Sequence, residues 1–379
     1  MKQVLIVSVM MMFHYIQALP QSLETQGQLS GWATINGKKI DRSQIGARYI
    51  LGLDAEKKLS KIYTLTAELS INAYDYGQFE GWDDIKNIGK IKPYRMWLRF
   101  ASSRFEARAG LQKISFGSAS LLRPLMWFDR IDPRDPLQIT DGVYGLLLRY
   151  YFPNNVNIWF WDLIGNDKTK GWEFFATRKE EPEYGGRIQV PLFTGEMALT
   201  FHRRKIDLNT ENASQLQICS DSAPENRIGL DGKWDIGVGL WFEGTMIKQN
   251  CDILPFPYQR FLNIGLDYTI GLGNGLHVLS EYFRFETSEK PFNIGERFIF
   301  SAVSLSYPLG LLDNIRGMVY YDSENHDWYR FIDWQRTYDR WSSHIMGFWN
   351  PEQFQIYRNI TENNLFAGKG VQIMVVINH

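Results

Sequence analysis

The 379-residue chain predicts an all-β fold: a transmembrane antiparallel β-barrel of about 18 strands whose third outer loop folds inward. Three observations carry that prediction. Segments with a two-residue apolar/polar period recur along the chain, and the connections between them alternate short and long. No run of about 18 apolar residues, the length a spanning helix needs, follows the N-terminal stretch.

Composition narrows the class further. Aromatic residues make up 15% of the chain, yet mean hydropathy is −0.29, far more polar than a bundle of spanning helices. A formal charge of −1 offers no field to draw nucleic acid, so that partner is not expected. Cysteine and histidine show no metal-ligand spacing, and neither a metal nor another cofactor is expected. At the N-terminus, Lys2, the apolar run Val4 to Met12 and Ile16-Gln17-Ala18 have the layout of a cleavable secretory signal over residues 1–18. Residues 19–379 then form one barrel domain. A buried first strand or helix is the other reading of that run.

The strands follow in order. Gln26 to Asn36 sets Leu29, Ala33 and Ile35 against Gln28, Ser30 and Thr34, and Gln44 to Asp54 puts Arg48 opposite Ile45, Tyr49, Leu51 and Leu53. Ile62 to Ala73 alternates Leu65, Leu69 and Ile71 with Thr64, Glu68 and Asn72. A long polar loop through Trp82 and Lys90 is expected before a fourth strand, Tyr94 to Phe100. Arg104 to Gln112 and Gly142 to Tyr151 are two alternating strands flanking one long loop, 114–141, that is apolar first and acidic after. Beyond it, short turns near 152–155, 192–195, 233–235, 272–275, 308–314 and 338–341 alternate with longer connections. Lys369 to His379 ends the chain with a strand able to pair with the first. The total is 18, or 16 if Trp328 to Trp349 is one elaborated loop. Aromatics near strand ends, including Tyr74, Tyr76, Tyr150, Trp159, Trp161, Trp328, Trp341 and Trp349, are expected to form interfacial girdles.

If apolar faces meet lipid, the opposite faces line a lumen that carries Arg48, Glu68, Arg95, Arg99, Arg108, Arg149, Arg187, His202, Asp267 and Glu281. Arg95, Arg99, Arg108 and Arg149 come from three neighbouring strands and form a candidate basic wall. Asp129, Asp132 and Asp135 on the loop face it in one reading, setting a transverse field across a narrow opening. In the other they pair with Arg130, Arg134 and the wall to anchor the loop, as Leu121 to Phe128 do. Trp97 is a candidate to stack on sugar rings, with packing as its plainer role. Cys219 and Cys251 flank a hairpin and are within reach of a disulfide, with two separate thiols as the alternative.

The succession GLQKISFG, RPLMWFDRIDPRDP and GVYGLLLRYY over 110–151, with LDYTIGLGNGLHVLSEYFRFE over 266–286, resembles porin-like outer-membrane barrels of the alginate-export type. The resemblance covers about a third of the chain closely, and the C-terminal Val-Ile-Asn-His departs from the Phe or Trp that ends many such barrels. It implies a passive channel in the outer membrane of a Gram-negative bacterium, with lipid and a small polar or charged solute as partners. Homotrimer and monomer both fit. The rival expectations are a non-conducting structural or secretion-associated barrel and, more remotely, an outer-membrane hydrolase. None of the six histidines sits in a nucleophile motif, and His277 with Glu281, two strand periods apart on one face, is a candidate acid and base pair with lumen lining as the plainer role.

Overall fold

The computed structural model describes residues 21–81, 84–208, 221–251, 254, 256–352 and 365–379. Alternation along each segment makes 18 antiparallel strands: β1 (Ser22–Asn36), β2 (Gln44–Lys58), β3 (Thr64–Phe79), β4 (Ile85–Ala101), β5 (Phe105–Gln112), β6 (Val143–Tyr151), β7 (Asn157–Leu163), β8 (Glu183–Leu192) and β9 (Gly195–Asp207). The second half comprises β10 (Ser222–Asp235), β11 (Gly239–Gln249), β12 (Tyr258–Ile270), β13 (Leu276–Ser288), β14 (Arg297–Pro308), β15 (Asp313–Asp322), β16 (Asp327–Thr337), β17 (Trp341–Trp349) and β18 (Lys369–Asn378). Each strand pairs with its sequence neighbours, and β1 pairs with β18, Gly31 opposite Val375. Closure leaves no unpaired edge, which is what allows strands to cross an apolar medium. The exterior is correspondingly apolar: Leu29, Ile71, Leu199, Ile264, Ile332 and Ile373 all point outward.

Trp328 to Trp349 spans β16 and β17 joined by 338–340, so 18 is the count and the 16-strand alternative falls. The expected long loop before the fourth strand is also corrected. β4 begins at Ile85, and only 80–84 separates it from β3; of its expected residues, Trp82 lies outside the described residues. Lys86, Lys90 and Lys92 gave the stretch a loop-like composition, but they occupy strand positions opposite β3. Their alternation breaks at Tyr94, where a bulge shifts the register so that Ser70 faces Arg95 while Ile71 faces Pro93. Lys92 and Arg95 therefore share the inner face although three residues apart. The turn expected at 233–235 lies at 236–238.

Several expected girdle aromatics point inward instead. Tyr76 packs with Trp32 and Met374, and Trp159 and Trp161 join a cluster with Phe116, Trp127 and Phe128. A larger apolar cluster lies inside the barrel, where Phe261, Phe283, Tyr320, Tyr329, Phe331 and Phe348 from β12 to β17 meet Leu121, Leu122 and Met126 of the loop after β5. The N-terminal 1–18 and Cys219 lie outside the described residues; Cys251 is half-buried beside Phe175, Ile206 and Leu254.

Candidate pore and constriction

Residues 113–142, joining β5 to β6, form the third connection at the end that carries the longer ones, and they run inside the barrel. Two wall carboxylates hold them by the backbone. Glu243 of β11 accepts hydrogen bonds from the Ala119 and Leu125 N–H groups at 2.7 and 3.1 Å. Glu281 of β13 accepts from Ser120, Leu121 and Leu122, the shortest at 2.6 Å, and from Asn263 Nδ2 at 3.0 Å. Successive N–H groups aimed at one oxygen pair make a concave anion seat; here the loop supplies the seat and the wall the anion. Gly117 makes the approach possible: its φ is +94°, and a Cβ there would collide with Glu243 Oε1. Glu281, expected only to line the lumen or pair with His277, is a loop anchor. Sequence reading missed both carboxylates' role because their partners are backbone groups about 120 or 160 residues away, which no side-chain pattern reveals.

The loop aspartates find their partners close by. Asp129 pairs with Arg123 at 3.2 Å and Asp132 with Arg134 at 2.6 Å, while Asp135 accepts from the N–H groups of Leu137 and Ile139. Burial, with Asp132 nearby, raises the Asp135 carboxyl above its ordinary value against those two hydrogen bonds. The next connection, 164–182, covers this loop from outside: Trp172 Nε1 donates to the Arg123 carbonyl at 2.9 Å, and the Gly171 N–H donates to Asp129. It is anchored in turn by a buried lattice in which Arg204 and Arg227 each bind both Glu173 and Glu225 at 2.6–3.0 Å.

The four wall arginines divide. Arg99, Arg108 and Arg149 converge on Glu106 at 3.2, 3.0 and 3.6 Å, near the short-turn end of β5. Arg95 stands higher and donates to the Thr140 carbonyl at 3.1 Å, where the loop returns to the wall. Three of them lie against a ring: Arg108 over Trp97 at 4.6 Å, Arg149 over Trp159 at 3.9 Å and Arg95 over Tyr94 at 4.0 Å. Trp97 therefore stacks on a guanidinium. Beside the returning limb of the loop, a cavity of about 390 Å³ opens against β2 to β4, bordered by Arg48, Asn72, Tyr74, Lys92, Thr140 and Lys168. Burial opposes the charge on Asp141 at its rim, but Lys92 and Lys168 outweigh it and hold the carboxyl below its ordinary value.

Ser342, His344 and Asp333 share the inner face of β16 and β17, an alignment the sequence reading did not identify. Ser342 Oγ lies 3.4 Å from His344 Nε2, but His344 Nδ1 is 3.6 Å from Asp333, beyond hydrogen-bond reach, and Arg316 approaches the same carboxylate at 3.7 Å. Ladder pairing occupies the neighbouring strand backbone. Among the described residues no group of three His, Cys, Asp or Glu side chains is placed to hold a metal ion.

No family model matches the chain, and no curated protein does. Solved structures do. OccAB4 of Acinetobacter baumannii superposes with a TM-score of 0.58 at 9% identity, covering 95% of this chain and 98% of its own. OmpT, an outer membrane protein of Vibrio cholerae in its trimer form, gives 0.52 at 10% identity over 94% and 98%. An anion-selective porin from Comamonas acidovorans gives 0.50 at 12% identity over 94% and 99%. At such identities the likeness is one of fold: the chain has the fold of porin-like β-barrels.

Proposed function

We propose that the protein is a passive porin of a bacterial outer membrane, carrying small polar or charged solutes past a constriction formed by residues 114–141. The observation that carries this is the asymmetry of the lumen. The loop packs on apolar side chains of β11 to β17, where Arg316 at 29% side-chain exposure is the lone arginine beside Asp333, while the β4 to β6 wall gathers three arginines on one carboxylate, Arg99 at 35% and Arg108 at 19%. Solute passage along the open side meets Arg99, Arg108, Arg149 and Trp97, with Arg95 and the aspartates Asp129 and Asp132 buried behind the surface it touches. Because the aspartates are paired within the loop, the field they leave is weaker than bare carboxylates would give, and the wall arginines set the sign. An anion preference follows, tested by reversal potential across a salt gradient in planar bilayers. Neutralising Arg99, Arg108 and Arg149 together to Gln should move the potential towards cation preference; an unchanged value would remove them from the pathway.

The finer reading, a porin of the alginate-export type, rests on the resemblance over 110–151 and 266–286. Secretion through the signal at 1–18 rests on the layout of Lys2, Val4 to Met12 and Ile16-Gln17-Ala18, and the Gram-negative cell on the resemblance. Outer-membrane lipid and a small solute are the partners this reading needs, and no cofactor enters it. One similar solved barrel is a trimer form, which makes a homotrimer the assembly to test beside the monomer. The dry packing of the loop favours one second reading, a non-conducting structural or secretion-associated barrel. Absence of stepwise current from folded protein would decide for it. Hydrolysis finds less support, since Ser342, His344 and Asp333 lack a hydrogen-bonded relay.

A further inference from the structure

The outward face of β9 to β16 changes character at the end that carries the longer connections. Arg203 and Lys248 are exposed between buried neighbours, His202 and Arg204 for the one, Ile247 and Gln249 for the other, so both side chains leave the barrel. Arg260, Arg284 and Arg330 are set outward in the same way, between Gln259 and Phe261, Phe283 and Phe285, and Tyr329 and Phe331. Arg297 opens β14 opposite Glu286. Two residues further into the wall the outward rows turn apolar, with Phe201, Leu262, Tyr282 and Ile332 all exposed. The cations therefore stand on the boundary between the apolar band and the rim.

The opposite end of these strands is different. There the outward rows of β10, β12 and β14 run out through Trp234, Tyr268 and Tyr307, and the turns 236–238, 271–275 and 309–312 contain no Lys or Arg. Cations that merely fixed the depth of the barrel would flank both interfaces. The charge is also confined to one sector of the rim. On β1, β2 and β4 the outward positions near the same end hold Ile35, Ile45 and Ile91, all exposed. Simple hydration gives no reason for the cations to keep to one end and one sector.

Part of this charge is matched within the chain. Glu286 pairs with Arg260 at 3.2 Å and with Arg284, and Glu324 pairs with Arg297 at 3.0 Å. Arg203, Lys248 and Arg330 pair with no carboxylate among the described residues; Lys248 lies over the Tyr258 ring and Arg330 over the Trp328 ring, both at 5.7 Å. A guanidinium fork and an ammonium group in that layer suit phosphate oxygens. We propose that the outer rim of β9 to β16 docks the phosphorylated glycolipid of the outer leaflet, its phosphates on Arg203, Lys248 and Arg330 and its acyl chains on the apolar rows below. The end with the longer connections is the outer one in the porin reading, and the docking rests on that reading for the leaflet it meets. It requires no conduction.

Native mass spectrometry of protein refolded in nonionic detergent and titrated with bisphosphorylated lipid A tests it, with fully dephosphorylated lipid A and phosphatidylglycerol as comparison probes. Bisphosphorylated lipid A should be held about tenfold or more tightly than either. Arg203→Gln, Lys248→Gln and Arg330→Gln together should remove that advantage. Lys61→Gln, Arg104→Gln and Arg340→Gln together take the same charge from exposed residues at the opposite end and should keep it. Equal retention of the phosphorylated and dephosphorylated lipids, equal retention of phosphatidylglycerol, or an equal effect of the two triple variants would overturn the docking. Heat-modifiable gel mobility verifies that each variant is folded, and the comparison of lipids on the native protein decides the matter if a variant is not. Absence of stepwise current would remove the porin reading alone, while a conducting barrel indifferent to the lipid A phosphates would remove the docking alone.

Discussion

Single groups inside this barrel matter through what they leave unsatisfied. Glu281 is 2% exposed and receives three loop N–H groups; Glu281→Ala strands those donors in a dry site, and each buried orphan costs about 1–3 kcal/mol. The unfolding midpoint in denaturant should fall accordingly, with proteolysis between Ser118 and Pro136 rising alongside. Asp135 makes an opposite kind of prediction. Its folded carboxyl is raised by burial, so its contribution is full below the unfolded value of about 4 and is lost as pH climbs through the raised one. Thermal midpoints of the native protein relative to Asp135→Asn should therefore drop as pH rises above about 4, and a flat difference would show the group to be solvated. The same scale marks where sequence reading stops. Arg95, Arg99, Arg108 and Arg149 were legible as inner-face residues because a strand's period is two, whereas the sharing of Glu106 by the last three and the loop's use of Glu243 depend on register and backbone direction.

At the scale of elements, strand number and the phase of short and long connections were legible because each strand carries its own alternation. Two features hid from it. The bulge at Tyr94 breaks the period in the middle of β4, and basic residues ahead of it look like loop. Inward aromatics such as Tyr76, Trp159 and Trp161 look like girdle residues, because composition does not say that a loop will arrive to cover them. The lipid-facing rows are the simpler test. Ile373 lies mid-strand in β18, half exposed on the apolar exterior, and Ile373→Arg should cost about 2–4 kcal/mol in lipid, read as a shifted denaturation midpoint in vesicles. Deleting 118–136 should raise single-channel conductance if that loop narrows the passage; an unchanged current would place the narrow point elsewhere.

For the whole molecule, pairing of β1 with β18 means that the barrel resists detergent until it opens as one unit, so unboiled and boiled samples should migrate differently on a gel. The two halves of the wall differ in kind: the loop packs on the aromatic inner face of β11 to β17, while β4 to β6 gathers arginines on Glu106. The backbone grip on residues 119–125 carries a consequence for assembly. Leu122 meets Glu281 across 159 positions of sequence, so the inner loop has no seat until β11 to β13 exist, and the growing sheet must curl around a segment already threaded through it. Contacts of such separation form late. Refolding should then proceed in two observable phases, strand content first and quenching of Trp127 and Trp172 afterwards, and the slower phase should vanish when 118–136 is removed.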